Sequence, residues 1–413
     1  MKLINDFSGT AMGSYILSGD QLFVQIFEEP LVRVDGMVHD YSLHFCFGIL
    51  NDESSEKNIR VFINATDSTP MPEMETNIYW KNSPEEEFVK SDIRVKTDCI
   101  KSYCFNIRLS PGETKYLANS CFRTYETLSR RFDELAVRSG AERKLYGLSV
   151  EKRQLIAYRY SAPAPEHPLP EIIVVSGSHP PEGDTFGTEG IMEMLSDPES
   201  RSRLLQLANL TVIPMVNPDG FVHGYGGCNA NLRNVYWDFD VINETEMPET
   251  FLLWKLFTQL RPDVYFDFHG YTFQGRKKIA SSYIKPLFCY PLEKWDLVRN
   301  LNRKVIDLCH GECKTGFLTF VPSTPGSRLT KKFGTVTYAK FHFHLDDGIA
   351  RIKKMAVDLV LLASEEVNRY SRKRDRPGFR VANPFIKWIY SLGYDVYLFI
   401  LIYLWHPLKK WKK

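Results

Sequence analysis

Residues 171–183 read Glu-Ile-Ile-Val-Val-Ser-Gly-Ser-His-Pro-Pro-Glu-Gly, and this stretch decides the fold. Glu171–Val175 is a short, unbroken apolar run, the pattern of a strand buried on both faces of a parallel sheet. It runs straight into a loop bearing His179 and Glu182. Ligands of open α/β sheets bind at the carboxyl ends of strands. A His and a Glu separated by two residues on such a loop can point at one centre, and imidazole with carboxylate suits zinc.

Working outward, further strands are expected at Leu210–Val216, Asp263–Phe268 and Gly334–His344. Helical patterns lie between them at Thr188–Leu195, Arg201–Ala208, Glu249–Leu260, Lys294–His310 and Gly348–Asn368. Strands alternating with helices imply an α/β domain with a mostly parallel sheet. Upstream, Gln21–Phe27, Tyr41–Leu50, Asn58–Asn64 and Ile100–Leu109 are rich in Val, Ile, Phe and Tyr and are broken by turn residues. Short strands at that spacing suggest a β-sandwich. Tyr116–Leu135 reads as a helix, and Gly140–Arg143 as a boundary. The expected organisation is a β-sandwich over 1–142, an α/β domain over 143–370, and a basic linker with an apolar, aromatic tail over 371–413.

The second strand end that matters is Asp263–Phe268, which leads into His269-Gly270. His269 completes a His/Glu/His set with His179 and Glu182. With an open fourth position, this is the pattern of a catalytic zinc, which activates a bound water or polarises a carbonyl. Asp267 can orient the His269 imidazole from behind, as metal-bound imidazoles usually require. Between these elements, Asn217-Pro218-Asp219-Gly220 is by itself a turn signal.

Composition excludes several classes. Lys+Arg number 52 against 50 Asp+Glu, for a net charge of +2, so no nucleic-acid footprint is expected. Eight cysteines are too few for a disulfide scaffold. The first residues carry Asp6 where a leader would need an apolar core, so the expected compartment is the cytosol, with reduced thiols.

His179-x-x-Glu182, then Asn217-Pro218-Asp219-Gly220, then Asp267-x-His269-Gly270 resemble the signature of the zinc metallocarboxypeptidases, M14-type. With a β-rich region in front, the pattern is most similar to the cytosolic carboxypeptidase branch. The resemblance covers roughly residues 1–370. It implies a mixed, mostly parallel sheet with helices on both faces, Zn2+ on His179, Glu182 and His269, and hydrolysis of C-terminal peptide bonds of peptides or proteins.

The sequence departs from that family at three places. The family's oxyanion-stabilising Arg has no counterpart in Phe221–Asn231, and an ungapped comparison puts Gly227 in its slot. The Asn-Arg pair that binds the substrate carboxylate falls on Tyr236-Trp237 without a gap, or on Asn231 and Arg233 with one inserted residue. The general-base Glu is missing from Thr335–His344, where Lys340, His342 and His344 alternate and Asp346 follows. His342, His344 and Asp346 are the candidate bases. Three readings stay open: a divergent zinc carboxypeptidase, a zinc amide or ester hydrolase that does not read a C-terminal carboxylate, and a catalytically inactive zinc-binding pseudo-carboxypeptidase.

Val396–Trp405 is apolar and aromatic but shorter than the ~20 residues of a spanning helix. Flanking Trp and Tyr residues and the closing lysines suit contact with an anionic membrane surface. A terminal helix docked on the rest of the chain is the competing expectation.

Overall fold

The computed structural model describes residues 1–34, 37–42, 44–64, 75–96, 102–162, 167–237, 239, 243–271, 284–309, 324–345, 348–374, 392 and 396. The tail expected to contact membranes lies outside the described residues, apart from Leu392 and Val396. Among the described residues no helix is long and apolar enough to cross a membrane.

The N-terminal region is β-rich. Its strands are β1 (Lys2–Ile4), β2 (Tyr15–Ser18), β3 (Gln21–Gln25), β4 (Val32–Val34), β5 (Met37–His39), β6 (Cys46–Leu50), β7 (Lys57–Asn64), β8 (Glu75–Lys81), β9 (Val89–Lys96), β10 (Ser102–Leu109) and β11 (Thr114–Ala118). They form one sheet in the order β1-β6-β11-β8-β9, a second in the order β10-β7-β3-β2, and a β4-β5 ribbon. Alternation in β7 explains the pairing of faces: Ile59, Val61 and Ile63 are buried, and they meet Phe47, Ile49 and Leu117 from the other sheet in one core.

The remainder alternates. Helix α1 (Tyr125–Ser139) is followed by β12 (Glu142–Leu148), β13 (Gln154–Tyr160), β14 (Glu171–Val175), α2 (Thr185–Leu195), α3 (Pro198–Leu205), β15 (Asn209–Ile213), α4 (Pro218–His223), α5 (Pro248–Leu260), β16 (Val264–Tyr271), α6 (Trp295–Leu308), α7 (Pro325–Phe333), β17 (Val336–His344) and α8 (Ile349–Arg374). The six strands run in the order β12-β13-β15-β14-β16-β17. The pairs β14·β15, β14·β16 and β16·β17 are parallel, and β12·β13 and β13·β15 are antiparallel. The mixed, mostly parallel sheet expected from the sequence is therefore present.

Strand β14 shows why its sequence is apolar throughout. Ile172 and Val174 join the core that α2, α6 and α8 cover, while Ile173 and Val175 join the core under α5 and α7. From Ile172 to Val175 both faces are dry, so these four positions are apolar. Each of these side chains contributes ~1.5–3 kcal/mol by burial.

Four expectations shift. Tyr116–Ala118 belongs to β11, paired with β6, and the expected helix begins only at Tyr125. Thr124 caps it by accepting from Thr127 N, and Gly140 closes it at φ 66°. Asn-Pro-Asp-Gly is the start of α4 rather than an isolated turn: the Asn217 side chain accepts from Gly220 N, with Pro218 in the first turn. Strand β16 continues through His269 to Tyr271, because β17 pairs with it all the way to Tyr271↔His344. Helix α8 extends to Arg374, into the start of the stretch expected as linker.

Candidate metal centre

The loop after β14 is tied to its surroundings by backbone-directed bonds. Ser176 Oγ donates to Pro214 O at 2.9 Å, and Gly177 N donates to Asp184 Oδ2 at 2.9 Å. Gly177 sits at φ 68°, with Pro214 O only 2.8 Å from where a Cβ would lie. A single 3-10 turn, Pro180–Glu182, then carries Glu182 back toward His179, with Glu182 N donating to His179 O at 3.1 Å.

The three sequence candidates meet. The His179 Nδ1 lies 3.0 Å from Glu182 Oε1, and His269 Nδ1 lies 2.9 Å from Glu182 Oε2. One ligand atom from each of the three falls within 4.8 Å of the others. His179 is 1% and His269 0% exposed, so the three donors converge inside the fold rather than on a solvated surface. Gly270 N donates to Glu182 Oε2 at 3.0 Å, fixing the carboxylate between the two rings.

Asp267 stands behind His269. Its Oδ1 is 3.2 Å from His269 Nε2, and its Oδ2 accepts from Tyr265 OH at 2.9 Å. Nδ1 is thereby the nitrogen left facing Glu182, the arrangement a metal-binding imidazole needs.

The electrostatics follow. Burial alone would raise the Glu182 carboxyl, but the two histidines outweigh it and hold its pKa well below the ordinary value. Burial would lower His269, yet the Glu182 and Asp267 carboxylates raise it to about 9. Asp184, buried and beside the Glu182 charge, is pushed well above the usual carboxyl range. Two nitrogens and a carboxylate, all aimed at one point and oriented from behind, fit zinc.

The other sequence candidates are placed as follows. His342 pairs across β16·β17 with His269, and the two ring centroids are 5.6 Å apart. His344 pairs with Tyr271, one alternation farther along the strand, and is buried. Asp346 lies outside the described residues. Asn231 and Arg233 sit in a tight turn closed by Asn229 N donating to Arg233 O at 2.9 Å. Asn231 Nδ2 donates to Glu246 O at 3.1 Å, and Arg233 Nε is 3.9 Å from Glu246 Oε2. The turn thus engages both residues with the Glu246 loop.

An aromatic wall was not anticipated. Tyr236 is buried against both metal-site histidines, with centroids 5.7 Å from His179 and 4.8 Å from His269. Tyr41, from the β-rich region, packs on His179 at 4.6 Å. Trp237 Nε1 donates to the Tyr41 hydroxyl at 2.5 Å, and His39 stacks on Trp237 at 4.4 Å. Burial and the Glu182 charge push the Tyr41 phenol well above its usual range. Tyr236 was visible as the ungapped match to the carboxylate-binding pair. Nothing near Tyr41 in sequence marks it.

Residues 138–237 match the family model of zinc carboxypeptidases, peptidase M14. That stretch includes His179 and Glu182. The fold is similar to a metallo-carboxypeptidase from Burkholderia cenocepacia, at 14% identity and TM-score 0.69 over 90% of this chain and 99% of that one. It is also similar to a metallo-carboxypeptidase from Pseudomonas aeruginosa solved with (2-guanidinoethylmercapto)succinic acid, at 17% identity and TM-score 0.69 over 89% of this chain and 100% of that one. No curated protein matches the chain in sequence. Residues 138–237 thus resemble the M14 zinc carboxypeptidase family in sequence, within a chain whose fold is similar to that of metallo-carboxypeptidases.

Proposed function

We infer that this protein is a zinc-dependent hydrolase of the metallocarboxypeptidase type, acting on C-terminal peptide bonds of peptides or proteins. The observation that carries the reading is the convergence of His179, Glu182 and His269, with ligand atoms within 4.8 Å of one another. Zinc held there would supply Lewis acidity toward a carbonyl oxygen and toward water. The chain's own residues do the rest. Asp267 holds the His269 ring. His342, beside His269, is the candidate to accept a proton from water, a role an imidazole can fill near neutral pH. Arg233 is the candidate to receive the substrate carboxylate, since a guanidinium can pair with a carboxylate through two parallel hydrogen bonds.

A second reading has its own support. Tyr236 and Trp237, 1% and 0% exposed, stand where the ungapped comparison expects the carboxylate-binding pair. Aromatic rings there favour a substrate without a terminal carboxylate, or a zinc-binding protein without turnover.

The deciding experiment uses the zinc-loaded full chain on matched peptides with free and amidated C-termini. Cleavage of the free acid only, abolished by His179→Ala and reduced ~10²–10⁴-fold in kcat by His342→Gln, supports the carboxypeptidase reading. Cleavage of both forms supports the amide or ester hydrolase. No cleavage by a protein that retains stoichiometric zinc supports the inactive zinc-binding form.

A further inference from the structure

The segment that presents Tyr41 is braced at both ends. Glu29 N donates to Ser42 Oγ at 2.9 Å, and Ser42 N donates to Asp40 Oδ1 at 2.9 Å. The Glu29 carboxylate in turn accepts three successive amides of the other region: Gly226 through a short bond, and Gly227 and Cys228 at 3.0 Å each. Asn217 Nδ2 donates to Cys228 O at 2.9 Å, which links this loop to α4 beside the metal-bearing loop. Tyr41 is therefore held over His179 by a continuous polar framework.

The glycines are cut to fit it. A Cβ on Gly226 would overlap the Tyr41 carbonyl oxygen, and one on Gly227 would lie 3.0 Å from Tyr41 Cγ and Cδ1. The Tyr41 ring fills the space that a side chain at 227 would need. Tyr41 is half-buried as a residue. Its oxygen accepts from Trp237 Nε1. That bond occupies a lone pair and leaves the phenolic proton for donation elsewhere.

We propose that Tyr41 is the oxyanion donor of this centre: a neutral hydroxyl, supplied by the β-rich region, that stabilises negative charge on an oxygen bound at the metal site. The proposal takes its substrate class from the hydrolase reading, but it makes a claim about anion binding that stands without turnover. A tetrahedral oxyanion such as a phosphonate is the matching ligand chemistry, and the Trp237–Tyr41 bond sets the orientation of the hydroxyl.

The test is calorimetric titration of phenylphosphonate into the zinc-loaded full chain, its Tyr41→Phe variant and its Trp237→Phe variant, with zinc content measured on each. Tyr41→Phe is expected to keep its zinc and to bind phenylphosphonate at least ~10-fold more weakly, the loss of one hydrogen bond to a charged acceptor. Trp237→Phe is expected to show a smaller loss. Equal or tighter binding by Tyr41→Phe overturns the assignment, as does a zinc-loaded wild-type protein that shows no phenylphosphonate binding. If Tyr41→Phe does not fold, Trp237→Phe decides, and an unchanged affinity there overturns the proposal. Tyr41-dependent binding in a protein that cleaves no peptide would sink the hydrolase reading and leave the Tyr41 assignment standing.

Discussion

Gly270 and Glu182 are locked together: the Gly270 amide donates to Glu182 Oε2 at 3.0 Å, while the position a Cβ would take at 270 overlaps the Glu182 backbone carbonyl. The glycine beside His269 is thus a space requirement of the metal loop. Gly270→Ala should destabilise the fold by ~1–3 kcal/mol through overpacking and also impair zinc retention. Thermal melting together with zinc analysis of the purified variant checks both effects. A variant with wild-type melting and full zinc would show that the loop yields freely.

Asp267 acts on His269 from the side opposite Glu182, at 3.2 Å from Nε2. Asp267→Asn should leave the three ligands in place and weaken zinc binding by ~10–100-fold. Competition against a chromogenic chelator reads the change directly. His269→Ala, which removes a ligand, should lose more than Asp267→Asn, and stripping the wild-type protein with a chelator should lower its melting temperature.

The ion cluster around Glu189 sets an acid limit. Glu189 is 3% exposed and meets Arg123 at 2.6 Å, Arg131 at 2.8 Å and Lys353 at 3.1 Å. Burial would raise its pKa, but Arg123 and Lys353 dominate and bring it to about 2. A depressed carboxyl adds stability above its ordinary value near 4.5, and that stability is lost as pH falls toward 2. His44, lowered to about 4 by burial, takes up its proton first in the unfolded chain, so stability already declines from 6.5 toward 4. Urea midpoints should fall in two overlapping stages between pH 6.5 and 2, with the upper stage absent in a folded His44→Gln variant. Glu189→Gln should cost ~3–5 kcal/mol at neutral pH, since it removes the buried charge that the buried Arg123 meets at 2.6 Å.

Gly226 faces the Tyr41 carbonyl and the Glu29 carboxylate, with Oε1 at 3.0 Å from the position of a Cβ. The first obstacle is backbone, and the second is a carboxylate held by three amides. Gly226→Ala should therefore cost ~1–3 kcal/mol and loosen the β-rich region from the metal-bearing one. Urea unfolding followed by tryptophan fluorescence would reveal the cost. A shift below ~0.5 kcal/mol, the range of ordinary surface substitutions, would contradict the tight fit.

Arg233→Ala separates structure from recognition. Its pairing with Glu246 spans 3.9 Å between side chains that are 39% and 55% exposed. Such a pair contributes ~0–1 kcal/mol, so melting should barely move. If Arg233 receives the substrate, KM for free-acid peptides should rise with little change for their amides. Equal KM values for both would assign carboxylate recognition to another group.

The parts legible in the sequence are those fixed by local pattern. Glu171–Val175 announced a strand dry on both faces, and the strand ends delivered His179, Glu182 and His269 to one point. Tyr116–Ala118 misled because its apolar residues fit a helix as well as a strand, and pairing with β6 decided the matter. The register of residues 227–237 was undecidable from spacing. The structure spends Asn229–Arg233 on a turn, with Leu232 at φ 56°, and the bridge Cys228↔Asn234 closes it. The contacts of Glu29 and Tyr41 with the metal-bearing region join residues nearly two hundred positions apart, and no periodicity or motif encodes such a meeting.

That separation has a consequence in time. Glu29 leaves the ribosome 197 residues before the Gly226 amide that it binds. At ~5–20 residues per second, the interval is roughly 10–40 s. Through that wait, the carboxylate and the ring it braces remain in water, with the β-rich strands already available to pair. The metal centre is consequently walled late in synthesis, when the Gly-Gly-Cys loop emerges and closes onto a surface prepared before it.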